Sequence, residues 1–287
     1  MDDPVRASIK EVDGNTWLIG PLQLRRSKGY RETSTWYDQD DDLSYTLTDA
    51  PVPRPVTVPL PANDPTIKLV YDAGDSSAVW SVGKSAFCKV KLSVAGTTSE
   101  AATLDFVHGL RPDFDIPKVF HQTEDNDRSY LFLSRVPGRT LADAWPTLDG
   151  KWRDHYMNAV VRICEFLASR EGDTLCGVDG KNVLEPWLIK YGLEKDYSPY
   201  NLQQGCEALG NIIVEDIPTV GSVGIIDWEV AGFFPRGWVR TKFRISGGLN
   251  LPDSATDIPQ EWRSGVQKLL GAQGFEDYTS QFVSWWD

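Results

Sequence analysis

The stretch YDAGDSSAVWSVGKSAFCKVKL, residues 71–92, has the composition of short strands separated by tight turns. Runs rich in β-branched and aromatic residues alternate in it with Gly, Asp and Ser, which is typical of strand and turn succession. The same texture continues on both sides, and the apolar runs cover residues 67–71, 78–82, 87–92, 116–120 and 130–133. We therefore predict a five-stranded antiparallel sheet.

One helix interrupts these strands, and helices dominate the chain after residue 135. Ser99 is suited to cap the interrupting helix, Glu100 lies in its first turn and Gly109 ends it. Residues 140–143 have the spacing of a capping box, which indicates a further helix start. Later segments predict helices over residues 152–167, 198–210 and 262–269, and a two-stranded hairpin over residues 211–227. Together these patterns predict an α+β fold.

The first 66 residues have a different composition. An acidic run covers residues 38–42, and prolines are frequent over residues 51–65. Because proline disfavours regular strand pairing, we expect an extended arm packed on the fold, with a solvated acidic turn and linker as the alternative.

Bulk composition excludes several classes of partner. The net charge is −12 and the isoelectric point is near 4.8, which argues against nucleic acid and anionic membrane surfaces as partners. The four cysteines and three histidines show no metal-ligand spacing. The N-terminus is polar and no segment is long and apolar enough to cross a bilayer, so we expect a cytoplasmic protein.

Two groups of residues, in the predicted sheet and at the start of the helix that interrupts it, are suited to bind phosphate. Gly74, Ser76 and Ser77 lie between two strands, where small residues and hydroxyls let donors approach an anion, although an ordinary hairpin turn has the same composition. Lys89 lies on the third strand and Glu100 opens the next helix, so the carboxylate can orient the ammonium on a phosphate. A solvated surface pair is the alternative, and Lys91 can substitute for Lys89.

The predicted hairpin carries candidate metal ligands. Asn211 begins its first strand and Asp227 ends its second, which brings an amide and a carboxylate to one edge. Such oxygen ligands suit Mg²⁺.

These motifs together resemble the aminoglycoside phosphotransferase and choline kinase-like family, especially its fungal-type members. The matching stretches are YDAGDSSAVWSVG, FCKVKL, SRVPGRTLADAWPTLD, NIIVED and IIDWEVAGFFPRGW, which begin at residues 71, 87, 134, 211 and 225. The resemblance implies a two-lobed protein-kinase-like fold, with ATP and Mg²⁺ as cofactors and a small hydroxylated molecule as acceptor. It implies that Lys89 contacts phosphate, Glu100 pairs with Lys89, Ser134 to Val136 form the hinge against adenine, and Asn211 and Asp227 bind magnesium.

One part of the family pattern is missing. The family has a His-x-Asp-x-x-x-x-Asn loop whose Asp acts on the acceptor hydroxyl, and counting back from Asn211 puts Gln204 and Cys206 at the His and Asp positions. Because a helix end at Gly210 leaves almost no connection before Asn211, we favour deletion of the loop over substitution.

We accordingly expect an N-terminal extension over residues 1–66, a nucleotide-binding lobe over 67–133 and a helical lobe over 134–287, with the metal-site hairpin at 211–227. The expected function is a phosphotransferase by descent that is catalytically impaired. The alternatives are a non-catalytic nucleotide- or metabolite-binding pseudokinase, and a splice or gene-model variant of an active kinase.

Overall fold

The computed structural model describes residues 3–188 and 212–286, which form two compact units. Unit 1 contains the described residues up to Ala95 together with Pro117–Arg135. Unit 2 contains Gly96–Ile116 and the described residues from Val136 onward. The domain boundaries expected at residues 66/67 and 133/134 remain a prediction.

Unit 1 contains a six-stranded antiparallel sheet built from the N-terminal residues. Its spatial order is β4-β5-β3-β2-β1-β6. The strands are β1 Ile9–Asp13, β2 Thr16–Ile19, β3 Leu22–Lys28, β4 Trp36–Asp38, β5 Leu43–Asp49 and β6 Val58–Pro59. The expectation of an extended arm is therefore wrong for residues 9–49, which are mostly paired strand. The proline-rich residues 51–65 contribute only the short edge strand β6, because proline cannot donate to a strand ladder.

The second sheet of unit 1 confirms the predicted five strands. Its spatial order is β10-β11-β9-β8-β7, and every neighbouring pair is antiparallel. The strands are β7 Ile67–Asp72, β8 Ser77–Val82, β9 Ala86–Leu92, β10 Val119–Asp125 and β11 Arg128–Ser134. Only β10 departs clearly from its predicted run, since it begins three residues later, at Val119 instead of Ile116.

One hydrophobic core joins the two sheets of unit 1. The fully buried Trp17, Ile19 and Leu24 come from the six-stranded sheet, and Trp80 and Val90 come from the five-stranded sheet. Each sheet buries one face because alternate side chains along a strand point to the same side. The N-terminal residues are thus part of the core of unit 1.

Within the described residues, unit 2 is mainly helical and contains one small sheet. Its α1, Glu100–Gly109, begins after Ser99, whose hydroxyl accepts a hydrogen bond from Ala102 N at 3.2 Å, and this confirms the predicted cap. Thr140 likewise caps α2, accepting from Asp143 N at 3.1 Å. The remaining helices are α2 Leu141–Ala144, α3 Gly150–Ala168, α4 Trp238–Ile245, α5 Glu261–Ala272 and α6 Thr279–Trp286, and the strands are β12 Arg139–Thr140, β13 Ile212–Val214 and β14 Val223–Ile225.

Among the described residues, no helix combines the length and the apolar composition needed to cross a membrane.

Glu215 organises the loop that joins β13 to β14. Its carboxylate accepts hydrogen bonds from the backbone N–H groups of Thr219 (2.7 Å), Val220 (3.2 Å) and Gly221 (2.9 Å), and from Thr219 Oγ1 (2.9 Å). Burial alone would raise the pKa of Glu215, but these hydrogen bonds outweigh it and lower the pKa to about 2. The loop conformation therefore depends on an ionised carboxylate.

Replacing Glu215 with glutamine is expected to destabilise the protein by about 1 kcal/mol at neutral pH, because a charge-assisted acceptor becomes a neutral one. The pKa of Glu215 is lower in the folded protein than its ordinary value of 4.5, so its stabilising contribution is complete above about pH 4.5 and is lost as the pH falls toward 2. Urea unfolding of wild type and E215Q should converge over this window. The exposed neighbour Asp216 supplies the control, D216N. A gap between wild type and E215Q that stays constant down to pH 2 would contradict this role.

Candidate functional site

The hairpin of β13 and β14 leads directly to Asp227. The two strands pair in the register Ile212 with Ile225 and Val214 with Val223. Residue 115 supports the other side of β14, because Asp115 N donates to Val223 O and Ile225 N donates to Asp115 O, both at 2.9 Å. Strand β14 is therefore held on both edges, which fixes the position of the chain that follows it.

Asp227 lies in a sharp turn just after β14. Its φ is 64°, in the left-handed region, where Asp and Asn are among the few side chains other than Gly that occur regularly. The next residue, Trp228, is fully buried, and its indole N–H donates to Ile225 O at 3.0 Å. This buried indole ties the residue between Asp227 and Glu229 to the end of β14.

Glu100, the first residue of α1, is connected to the same turn. Its side chain is only 2% exposed, and Oε1 accepts a hydrogen bond from Trp228 N at 3.1 Å. The first turn of a helix also favours a negative charge, because the N-terminal N–H groups of the helix point toward it. Residue 100 is thus bound to the backbone of the turn 128 residues later in the chain.

Three carboxylates meet at this turn, and we name Glu100, Asp227 and Glu229 the carboxylate cluster. One oxygen from each lies within 4.8 Å of the others. Mg²⁺ holds oxygen ligands at about 2.0–2.1 Å, so ligands on opposite sides of the ion are about 4 Å apart. The cluster can therefore contribute ligands to one divalent cation after small side-chain adjustments.

The cluster differs in part from the predicted site. Asp227 was predicted as a ligand and is present in the cluster. Glu229 was not assigned a role, although its position two residues after Asp227 in the DWE stretch could have indicated it. The sequence predicts that Glu100 pairs with Lys89. In unit 2, Glu100 Oε1 accepts a hydrogen bond from Trp228 N. Lys89 lies on β9 of unit 1, opposite Val79 and Leu131, and its pairing with Glu100 remains a prediction.

The predicted phosphate-binding loop forms a tight hairpin turn. Ala73 N donates to Ser77 O at 2.9 Å, Gly74 has a φ of 67°, and the Ser76 hydroxyl donates to Ala73 O at 3.0 Å. These contacts are those of an ordinary hairpin turn, and the Ser76 hydroxyl proton is used within the turn, in the bond to Ala73 O. A Cβ at Gly74 would meet no atom within 4 Å, so this side of the turn is open to solvent. Phosphate binding by Gly74, Ser76 and Ser77 remains a prediction.

The residues of the predicted hinge lie where the chain leaves unit 1 and enters unit 2. Ser134, in unit 1, exchanges hydrogen bonds with Lys118: its hydroxyl accepts from Lys118 N and its N–H donates to Lys118 O, both at 2.8 Å. Val136, in unit 2, is buried and packs against Gly224, where an added Cβ would lie 2.4 Å from Val136 Cγ1. The chain changes unit between Arg135 and Val136. Contact of these residues with adenine remains a prediction.

The remaining predicted residues lie outside the described part of the chain. Asn211 is among them, as are Gln204, Cys206 and Gly210. The magnesium role of Asn211, the helix over residues 198–210 and the missing catalytic loop accordingly remain predictions.

Solved structures with a similar fold are aminoglycoside phosphotransferases. A thermostable mutant of APH(4)-Ia in its apo form is 13% identical, with a TM-score of 0.50 over 75% of this chain and 84% of that chain. The streptomycin-ATP-APH(2")-IIa complex is 15% identical, with a TM-score of 0.49 over 76% and 82%. APH(3'')-Id from Streptomyces rimosus is 13% identical, with a TM-score of 0.49 over 75% and 88%.

Sequence comparison adds nothing to this structural likeness, since no protein-family model and no curated protein matches the chain. At identities this low the likeness concerns the fold alone. The predicted fold is confirmed at that level: the chain has the α+β, protein-kinase-like fold of the aminoglycoside phosphotransferases.

Proposed function

We propose that this chain binds ATP and Mg²⁺ and descends from small-molecule O-phosphotransferases of the aminoglycoside type, with impaired transfer activity. The observation that carries the proposal is the carboxylate cluster of Glu100, Asp227 and Glu229. The fold likeness to an aminoglycoside phosphotransferase agrees with it.

The cluster is suited to a metal ion that carries phosphate. Asp227 and Glu229 are partly exposed, whereas Glu100 is buried, so the site presents two ligands to solvent above a fixed third one. When bound, Mg²⁺ supplies positive charge that neutralises phosphate oxygens during transfer. The chain itself fixes the positions of these carboxylates, through the turn after β14 and through the hydrogen bond from Trp228 N to Glu100.

The expected impairment rests on sequence. The catalytic loop of the resembled family has no counterpart before Asn211, and counting back from Asn211 puts Cys206 and Gln204 at the positions of its Asp and His. Neither side chain offers the carboxylate or the imidazole found there. General-base assistance typically contributes about 10²–10⁴-fold, whereas positioning and electrostatics provide most of phosphoryl-transfer catalysis. We therefore expect the chain to bind nucleotide although it no longer transfers the phosphoryl group efficiently.

The acceptor, by the same proposal, is a small hydroxylated molecule. The acidic character of the chain, with a net charge of −12, suits a cationic acceptor such as an aminoglycoside or choline. The cellular location that agrees with this role is the cytoplasm.

The test combines binding with turnover. Melting temperature is measured with ATP, with Mg²⁺ and with both, and ADP release is followed with aminoglycosides or choline as acceptors. A ligand at 100 times its dissociation constant stabilises by about 2.7 kcal/mol, so we expect a shift of several degrees with ATP and Mg²⁺ together. The absence of any shift and of any turnover would refute the proposal.

Other outcomes separate the alternatives. Nucleotide binding without transfer supports the pseudokinase, which the absence of the catalytic loop from the sequence favours. If C206D restores transfer by about 10²–10⁴-fold, the loop is substituted and not deleted. Reading the transcript across codons 210 and 211 decides whether a segment was lost in splicing or gene prediction.

A further inference from the structure

The outer edge of β7 is an exposed strand edge of unit 1 that carries apolar side chains. β7 is the last strand of the five-stranded sheet, so within the described residues only its β8 side is paired. Leu69, Val70 and Tyr71 are 48%, 54% and 57% exposed. An edge of this kind offers unpaired N–H and C=O groups next to apolar side chains, which favours the addition of another strand.

The opposite edge of the same sheet has a different composition. The outward strand there is β10, which ends in the polar residues His121, Gln122, Thr123, Glu124 and Asp125. Charged and polar side chains are the usual protection of a sheet edge against unwanted pairing. Because β10 has this protection and the middle of β7 does not, β7 is the edge open to a partner.

The sequence of β7 is complementary to itself when two copies run antiparallel. If Val70 faces Val70, Lys68 faces Asp72 and Leu69 faces Tyr71, so each charge meets its opposite and each apolar residue meets another. A shift by one residue places Leu69 opposite Asp72 and loses this match. All five residues from Lys68 to Asp72 are exposed.

Two features limit the length of this pairing. The register of β7 against β8 shifts between Leu69 and Tyr71, so Val70 lies at a bulge, which twists the strand locally. Asp72 also lies 4.0 Å from Arg6, which competes with Lys68 of the second copy for this carboxylate and so limits the pairing at this end of the strand.

We propose that a second copy of this chain pairs with β7 in antiparallel register about Val70, which joins the two five-stranded sheets across a twofold axis. The contact is isologous, since the same residues serve both copies. Its area is below the roughly 800 Å² per partner of a standard interface, because only about six residues per copy take part. The dimer is therefore weak and depends on protein concentration.

The experiment is sedimentation velocity over a range of concentrations up to several hundred micromolar. Wild type is compared with K68D, with D72K and with the double variant K68D/D72K. Each single change replaces attraction with repulsion at both symmetric pairs, and we expect about tenfold weaker association or more. The double variant restores opposite charges and should associate within about threefold of wild type.

A second pair of variants tests the apolar contact. V70K places two ammonium groups at the twofold axis and should abolish association. V58K is the matched control, because Val58 is 53% exposed on β6, at the edge of the other sheet, and should leave association unchanged. Circular dichroism and melting temperature establish that each variant is folded.

Three results would overturn the proposal. They are a wild-type protein that stays monomeric throughout, single charge variants that associate as wild type does, and a double variant no better than the single ones. Association that V58K weakens as much as V70K would assign the contact to the other sheet.

Discussion

Replacement of Trp36 by alanine is expected to destabilise unit 1 by about 3–5 kcal/mol, the usual cost of deleting a large buried aromatic side chain. Trp36 is 5% exposed and lies on β4. Its ring stacks on Tyr45 of β5, with a centroid distance of 5.0 Å, and on Phe120 of β10, at 5.3 Å. One side chain thus connects the six-stranded sheet to the five-stranded sheet, and its removal leaves a cavity between them.

The measurement is denaturant unfolding together with hydrogen exchange of the amides in β7 to β11. Exchange is included because a chain with two units need not unfold in a single step. Y30A is the control, since Tyr30 is an aromatic residue of the same segment that is 69% exposed, and it should cost less than about 0.5 kcal/mol. Equal exchange in W36A and Y30A would show that the N-terminal sheet does not support the five-stranded sheet.

The five-stranded sheet was predictable because its signals are local. Each strand alternates or clusters β-branched residues between Gly, Asp and Ser, so a single window of sequence identifies it. The N-terminal sheet was missed because the acidic run at residues 38–42 and the prolines at 51–65 dominate the composition of that segment. Asp38 shows why such a reading fails: it is 1% exposed, and its carboxylate accepts from Lys84 N at 2.9 Å and Asp40 N at 3.2 Å.

The candidate site was predictable only in part, for a different reason. Asp227 follows an apolar strand, and a carboxylate in that place is visible in the sequence. The contact between Glu100 and Trp228 joins residues 128 positions apart, and no local pattern encodes such a pair. Glu229 joins the cluster through the turn at Asp227, whose φ of 64° redirects the chain. The sequence of residues 227–229 alone does not predict a turn of this kind.

Asp227→Asn is expected to weaken Mg²⁺ binding at least tenfold, which corresponds to about 1.4 kcal/mol. The change removes one of three carboxylates that lie within 4.8 Å of one another, and metal affinity depends on ligand charge. Asparagine tolerates the left-handed backbone nearly as well as aspartate, so the turn itself should persist. Titration of Mg²⁺ against melting temperature, with and without ATP, gives the affinity.

The variants around Asp227 separate a metal site from a merely acidic turn. E229Q and E100Q should weaken Mg²⁺ binding in the same direction, because both belong to the cluster. D253N removes an exposed carboxylate elsewhere in unit 2 and should change nothing. ATP binding without Mg²⁺ should survive D227N, since the predicted phosphate contact at Lys89 lies in unit 1. If D227N, E229Q and E100Q all keep the wild-type response to Mg²⁺, the cluster holds the turn and Glu100 together without serving as a cation site.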